Sequence, residues 1–225
     1  MYGLAIIAGI AIAWLVRRCQ PADPPMVAAH RGELLAAAAV GAVLGAYLGD
    51  LPSGWLGWDG LGMEGHRLGG RTVLGGLIGG WLGVEAVKRL LAIRMPTGDG
   101  FAAPLAAALA CGRIGCLSAG CCGPTWVTLT EIGFHAAACG ILLALAWRRA
   151  STGRCLAAYL TIYAALRFTL EFWRGHPPIA FGVTWYQGLA VVLFILAGTT
   201  WLVRTFTLPA AAPPPRAKDA PPGCR

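Results

Sequence analysis

Apolar residues run in long blocks along this chain, and polar residues gather in the short stretches between them. The blocks are Met1–Val16, Leu34–Leu51, Gly70–Ile93, Phe101–Leu117, Ile132–Trp147, Cys155–Phe172 and Val183–Val203. Several are a little shorter than the roughly 20 residues that carry an α-helix across a bilayer core. Backbone groups in hydrocarbon must bond to one another, so each block predicts a helix. The expectation is an all-α membrane protein with about seven transmembrane helices. In the first block the charges, Arg17 and Arg18, follow the apolar core. A cleavable signal peptide carries them in front, so an anchor that stays is expected. Residues 1–208 read as a single transmembrane domain, and residues 209–225, rich in proline and alanine, as a disordered cytoplasmic tail. Pro52–Arg67, with its glycines and tryptophans, reads as an outer loop lying in the interface.

Composition agrees with the pattern. Of 225 residues 57% are hydrophobic and 12% charged, and 32 are glycine. A soluble domain carries about 25% charged residues. The net charge of +8 would suggest a nucleic-acid partner in a soluble chain, but here the positive-inside rule accounts for it and no nucleic acid is expected. Seven spans place the termini on opposite sides. Arg17, Arg18, Arg31, Lys88, Arg89, Arg94, Arg148, Arg149, Arg154, Arg204, Arg216, Lys218 and Arg225 collect on one side. The other side has Arg67, Arg71, Arg113, Arg167 and Arg174. The N-terminus is therefore expected outside and the C-terminus inside. Trp55, Trp58, Trp126, Trp173 and Trp185 fall near the outer surface, and Trp14, Trp147 and Trp201 near the inner one.

Three of the outer arginines, Arg71, Arg113 and Arg167, sit at or inside span ends. A guanidinium at membrane depth costs roughly 2.5–3.5 kcal/mol on insertion scales, so each needs a reason to be there. Arg113 stands between Gly112 and Gly115, with Cys111, Cys116, Cys121 and Cys122 around it. Glycines allow backbone and ligand to approach closely, and the guanidinium fork matches phosphate oxygens. A lipid phosphate is the expected partner. Arg167 and Glu171 are four apart and share a helix face, so they can pair. Around Gly75 and Gly76, the glycine run 69–80 reads either as small-residue helix packing, as with Gly76 and Gly80, or as part of a site.

The cysteines leave alternatives open. Their spacing fits no zinc pattern, so no metal is expected. A disulfide on the oxidising outer side, a nucleophilic Cys121 beside Arg113, and plain buried packing are the readings. His176, before Pro177 and Pro178, reads as an interfacial loop residue.

Taken in order, these motifs resemble the prolipoprotein diacylglyceryl transferase family. Gly75–Gly79 (Gly-Gly-Leu-Ile-Gly), Gly112–Gly115 (Gly-Arg-Ile-Gly) and Arg167–Arg174 (Arg-Phe-x-x-Glu-Phe-x-Arg) follow its pattern. Tyr2-Gly3-Leu4 is similar to its first helix, and Val183-Thr184 with Gln187 to the start of its last. The resemblance implies a bacterial inner-membrane enzyme with seven helices and a site facing the periplasm, with no cofactor. Such an enzyme moves the diacylglyceryl group of phosphatidylglycerol onto the lipobox cysteine thiol of a preprolipoprotein, whose signal peptide is its partner. By matched position Arg113 holds the phosphate, Arg167 and Glu171 shape the reaction centre, and Tyr2 lies close by. Leu74 stands where the family has histidine, and Cys116 and Cys121 stand where it has asparagine and glutamate. A leucine accepts no proton, which leaves His135, His66, Glu131 or an unaided thiol for that step. A related headgroup transferase with another acceptor, using Cys121 or Cys116, and a non-catalytic phospholipid-binding protein are the alternatives.

Overall fold

The computed structural model describes residues 2–52, 72–120, 123–148, 153–176 and 178–207. Among the described residues eight α-helices follow one another: α1 (Tyr2–Arg18), the short α2 (Pro25–Ala29), α3 (Arg31–Leu48), α4 (Val73–Leu90), α5 (Asp99–Ala119), α6 (Thr125–Trp147), α7 (Cys155–Leu170) and α8 (Trp185–Thr207). A 3-10 turn, Glu171–Trp173, extends α7. A small antiparallel pair, β1 (Pro178–Ala180) and β2 (Val183–Thr184), precedes α8. Helices α3, α5, α6, α8 and α7 with its 3-10 turn are long and apolar enough to cross a bilayer. Helices α1 and α4, of 17 and 18 residues, stand at the lower limit of spanning length, about 17 residues. The protein is an all-α, multi-pass membrane protein.

Two starts differ from the sequence reading. Helix α6 begins at Thr125 and not near Ile132, because Thr128 and Glu131 face inward and are buried. Val183 and Thr184 belong to β2, so α8 starts at Trp185. The loop Pro52–Arg67 and the tail from residue 209 lie, save for Pro52, outside the described residues, as do Trp55 and Trp58.

The helices associate in neighbouring pairs, α3 with α4, α1 with α5, α5 with α6 and α7 with α8. Lipid tails are as apolar as leucine, so close backbone approach, not exclusion from water, holds such pairs. Helices α3 and α4 illustrate the point. Gly41 and Gly45 of α3 meet Gly75, Gly79 and Gly83 of α4, and a Cβ on Gly79 would lie 2.2 Å from the Gly41 oxygen. The closest row is thus Gly75, Gly79 and Gly83, while a Cβ on Gly76 or Gly80 would lie 3.4 Å from the Ala42 oxygen or 3.3 Å from the Ala38 oxygen, a looser fit. Gly79→Ala is expected to cost about 1–3 kcal/mol through overpacking, seen as an earlier thermal transition in detergent. Gly80→Ala, with 3.3 Å to its nearest neighbour, should lower it less.

One end of the bundle is tied by side chains. Trp185 Nε1 donates to the Gly49 carbonyl at 2.6 Å, and the Tyr186 hydroxyl to Asp50 at 2.7 Å. Trp126 and Trp173 meet edge to face at 5.4 Å. At the opposite end Trp147 Nε1 donates to the Cys19 carbonyl. Arg204 donates to the Gly153 carbonyl, and Lys88, itself buried, pairs with Glu85.

Candidate functional site

One face of α7 repeats every four residues: Tyr159, Tyr163, Arg167 and, on the 3-10 turn, Glu171. All four are buried. Opposite them α6 turns Thr128, Glu131 and His135 inward, and α5 contributes Arg113 and Cys116. Polar groups buried this way are tolerated only when paired, and here the pairing is dense.

Glu131, fully buried, is the hub. Arg113 Nε lies 3.1 Å from its Oε2, Arg174 Nη2 makes a close ion pair with the same oxygen, and Arg167 Nε stands 3.6 Å from Oε1. Arg167 Nη1 also pairs closely with Glu171 Oε2. The other oxygen of Glu171 faces His176 Nδ1 at 2.5 Å and accepts from the Thr184 hydroxyl at 3.4 Å. Arg113 Nη2 donates to the Tyr163 hydroxyl at 3.3 Å, and Nη1 reaches Cys116 Sγ at 4.0 Å.

The loop after α7 carries two members of this network back over the site. Gly175, at φ 72°, reverses the chain so that His176 returns to Glu171, its ring tilted at 51° to that of Tyr186 with centroids 4.6 Å apart. Gly123, at φ 82°, allows close approach to Arg174, since a Cβ there would lie 3.3 Å from its Cα. Gln187 locks β2 against α8: its Oε1 accepts from the Thr184 amide and its Nε2 donates to the Phe168 carbonyl. Thr184 is thereby presented to Glu171.

Arg113, Arg167 and Glu171, singled out from sequence, therefore meet at one place. Gly112 faces open space, and Gly115 is buried on α5 with its carbonyl accepting from Ser118. Gly75 is packed on α3, and Gly76 lines an apolar cavity of about 350 Å3 with Gly80, Leu34 and Phe101. Tyr2 opens α1. The Tyr2 side chain, Cys121, Cys122, Arg71 and His66 lie outside the described residues. Leu74 sits buried beside Tyr163 in a cluster with Ala164, Ala190 and Leu193. Among the described residues no cluster of metal-ligating side chains occurs.

Sequence reasoning underrated three members. Glu131 was only one of several proton acceptors, Arg174 only one of the outer arginines, and His176, indeed on a loop, reaches into the ion-pair network. A signal for Glu131 existed: Thr128, Glu131 and His135 are spaced three and four apart, as one inward helix face requires. Arg174 closes the 167–174 motif, but spacing gives no hint of its partner, which is 43 residues away.

Electrostatically, Arg113, Arg167 and Arg174 stand against Glu131 and Glu171. Guanidinium groups gathered at one place present several donors to an anionic ligand. A phosphodiester carries one negative charge and several acceptor oxygens, the ligand such a cluster fits.

The family model for prolipoprotein diacylglyceryl transferase matches residues 1–203. No curated protein matches the chain.

Proposed function

We propose, starting from the fact that this chain belongs to the prolipoprotein diacylglyceryl transferase family, that its donor is phosphatidylglycerol and its acceptor the lipobox cysteine of a preprolipoprotein. The observation that carries the reading is the convergence of three guanidinium groups, Arg113, Arg167 and Arg174, on Glu131. The donor phosphodiester binds where these guanidinium groups gather, since their forks match its oxygens. Arg113, the arginine that also contacts Tyr163, holds the phosphate. Arg167, fixed by Glu171, completes the pocket. The thiol sulfur displaces the phosphate at the glyceryl carbon, and negative charge grows on the departing oxygens. Guanidinium groups already aimed at those oxygens stabilise that charge more than the ground state, which is what accelerates the step. The chain lies in the bacterial plasma membrane with Glu131, Glu171 and the hairpin toward the periplasm, the side the lysine and arginine distribution assigns to them.

The test is a lipidation assay with the purified full chain, phosphatidylglycerol vesicles and a lipobox peptide. The expected product is a peptide heavier by a thioether-linked diacylglyceryl group. No such product with any phospholipid donor would end the reading.

Leu74, standing where the family has histidine, favours a second reading: a phospholipid-binding protein that keeps the anion site without turnover. It predicts lipid that co-purifies with the wild type and is lost in Arg113→Ala, with no product formed. Any turnover above background removes it. Cys116, 4.0 Å from Arg113, keeps a different acceptor chemistry open as well. Unchanged turnover in Cys116→Ser and Cys121→Ser would exclude it.

A further inference from the structure

A seam opens in the bundle beyond the ionic cluster, toward the Trp147 end of α6. Helix α6 packs on α5, and α7 packs on α8, but α6 and α7 scarcely touch. Along this seam runs an apolar groove of about 450 Å3, lined by Phe134, Leu145, Arg154, Tyr159, Ile162 and Trp201. Ile141 and Ile162, which also line it, are 61% and 59% exposed, so the groove opens to the surroundings of the bundle. In a membrane those surroundings are lipid. An unfilled gap forfeits the dispersion contacts of every group that lines it.

Size fixes what fills the groove. On α6 the lining runs from Phe134 to Leu145, about 17 Å at the helical rise per residue. One leaflet contributes half of a hydrocarbon core about 30 Å thick, so an acyl chain of that leaflet spans this length. A helix of the same length, about 10 Å across, displaces roughly 1,300 Å3 and does not fit. The groove therefore suits one acyl chain and not a transmembrane segment of another protein or of a second copy.

Charge selects the headgroup. Among the described lining residues Arg154 is the one charged side chain, and no carboxylate shares the lining. It stands half-buried at the start of α7, on a turn held from both sides. Asp99 accepts from the amides of Gly153 and Leu156 at 2.7 and 3.3 Å, and Arg204 donates to the Gly153 carbonyl at 2.6 Å. Arg148, exposed three residues beyond Leu145, adds positive charge at this end. The Trp201 ring lies on α8 near the same end, where an indole meets headgroups. The lysine and arginine distribution assigns this end to the cytoplasmic leaflet.

We propose that the groove is a site for one anionic phospholipid of the cytoplasmic leaflet, with its acyl chain along α6 and α7 and its phosphate on Arg154. The guanidinium fork matches the phosphate oxygens. A cation at this depth favours an anionic lipid over a zwitterionic one. The site is separate from the Arg113 cluster, and it stands or falls independently of diacylglyceryl transfer.

The experiment follows Trp201 in detergent micelles that contain phosphatidylglycerol or phosphatidylcholine with brominated acyl chains, which quench a neighbouring indole. The groove signal is the difference between the full chain and its Trp201→Phe variant, in which lipid held elsewhere cancels. The expected result is half-quenching at about fivefold less phosphatidylglycerol than phosphatidylcholine, the factor one cation contributes at an anionic surface. Arg154→Gln should remove this preference, Arg154→Lys should keep part of it, and added salt should shrink it in the wild type. Equal quenching by the two lipids in the wild type overturns the proposal, as does a preference that Arg154→Gln leaves intact. No Trp201 signal with either lipid overturns the groove as the place of binding. If Arg154→Gln does not fold, the wild type decides alone, and a preference that salt does not weaken overturns the role of charge.

Discussion

Glu131→Ala is expected to destabilise the folded protein by about 3–5 kcal/mol, the cost of removing one member of a buried ionic cluster. Three guanidinium groups from α5, α7 and the loop after it meet on this one carboxylate, and without it they repel one another in a place water does not reach. The response separates the pairing from simple packing. Glu131→Gln keeps the volume and two polar atoms but loses the charge, so it should recover only part of the stability. Combining Glu131→Ala with Arg174→Leu should cost less than Glu131→Ala alone, since one of the unpaired cations is then gone. Thermal unfolding in detergent, followed through the near-ultraviolet dichroism of the Trp126–Trp173 pair, reads this directly. A Glu131→Ala transition within a degree or so of wild type would show that the cluster does not hold the outer end together.

Arg113→Ala is expected to lower kcat/KM by roughly 10²–10³-fold, the usual consequence of removing one donor aimed at developing negative charge. Arg113 differs from its neighbours in its contacts. Arg174 faces Glu131, and Arg167 bridges Glu131 and Glu171, whereas Arg113 also touches Tyr163 and Cys116, deeper in the bundle. Arg113→Lys keeps the charge but not the planar fork, so it should fall between wild type and alanine and not match wild type. The binding arm uses phosphatidylglycerol vesicles alone. Arg113→Ala should retain less lipid through purification, while Arg113→Lys retains an intermediate amount. Turnover in Arg113→Ala equal to wild type would remove this residue from the site.

Part of this site is local and part is not, and the division follows chain separation. The Arg167–Glu171 pair could be read from two letters four apart, because a helix alone brings them together. The pairing of Arg113 with Glu131 crosses a helix boundary, and that of Arg174 with Glu131 crosses most of two helices. Nothing in spacing specifies either. The same limit misplaced the start of α6. Thr128 and Glu131 interrupt the apolar run, and only their burial against α5 and α7 explains why the helix continues through them. For the glycines, composition announced close helix packing. Whether Gly75 and Gly79 or Gly76 and Gly80 make the contact depends on how α4 is rotated about its axis against α3.

The sequence by itself determined that this is a helical membrane protein and which arginines are out of place, and its ordered motifs pointed to the family. A bilayer demands long apolar runs, and any charge within one stands out against them. The tertiary structure alone decided who answers those charges: Glu131 as the common counter-ion, with Arg174 and His176 closing over it. These are choices among partners on different helices. They depend on how the helices are turned toward one another, which no single run of residues records.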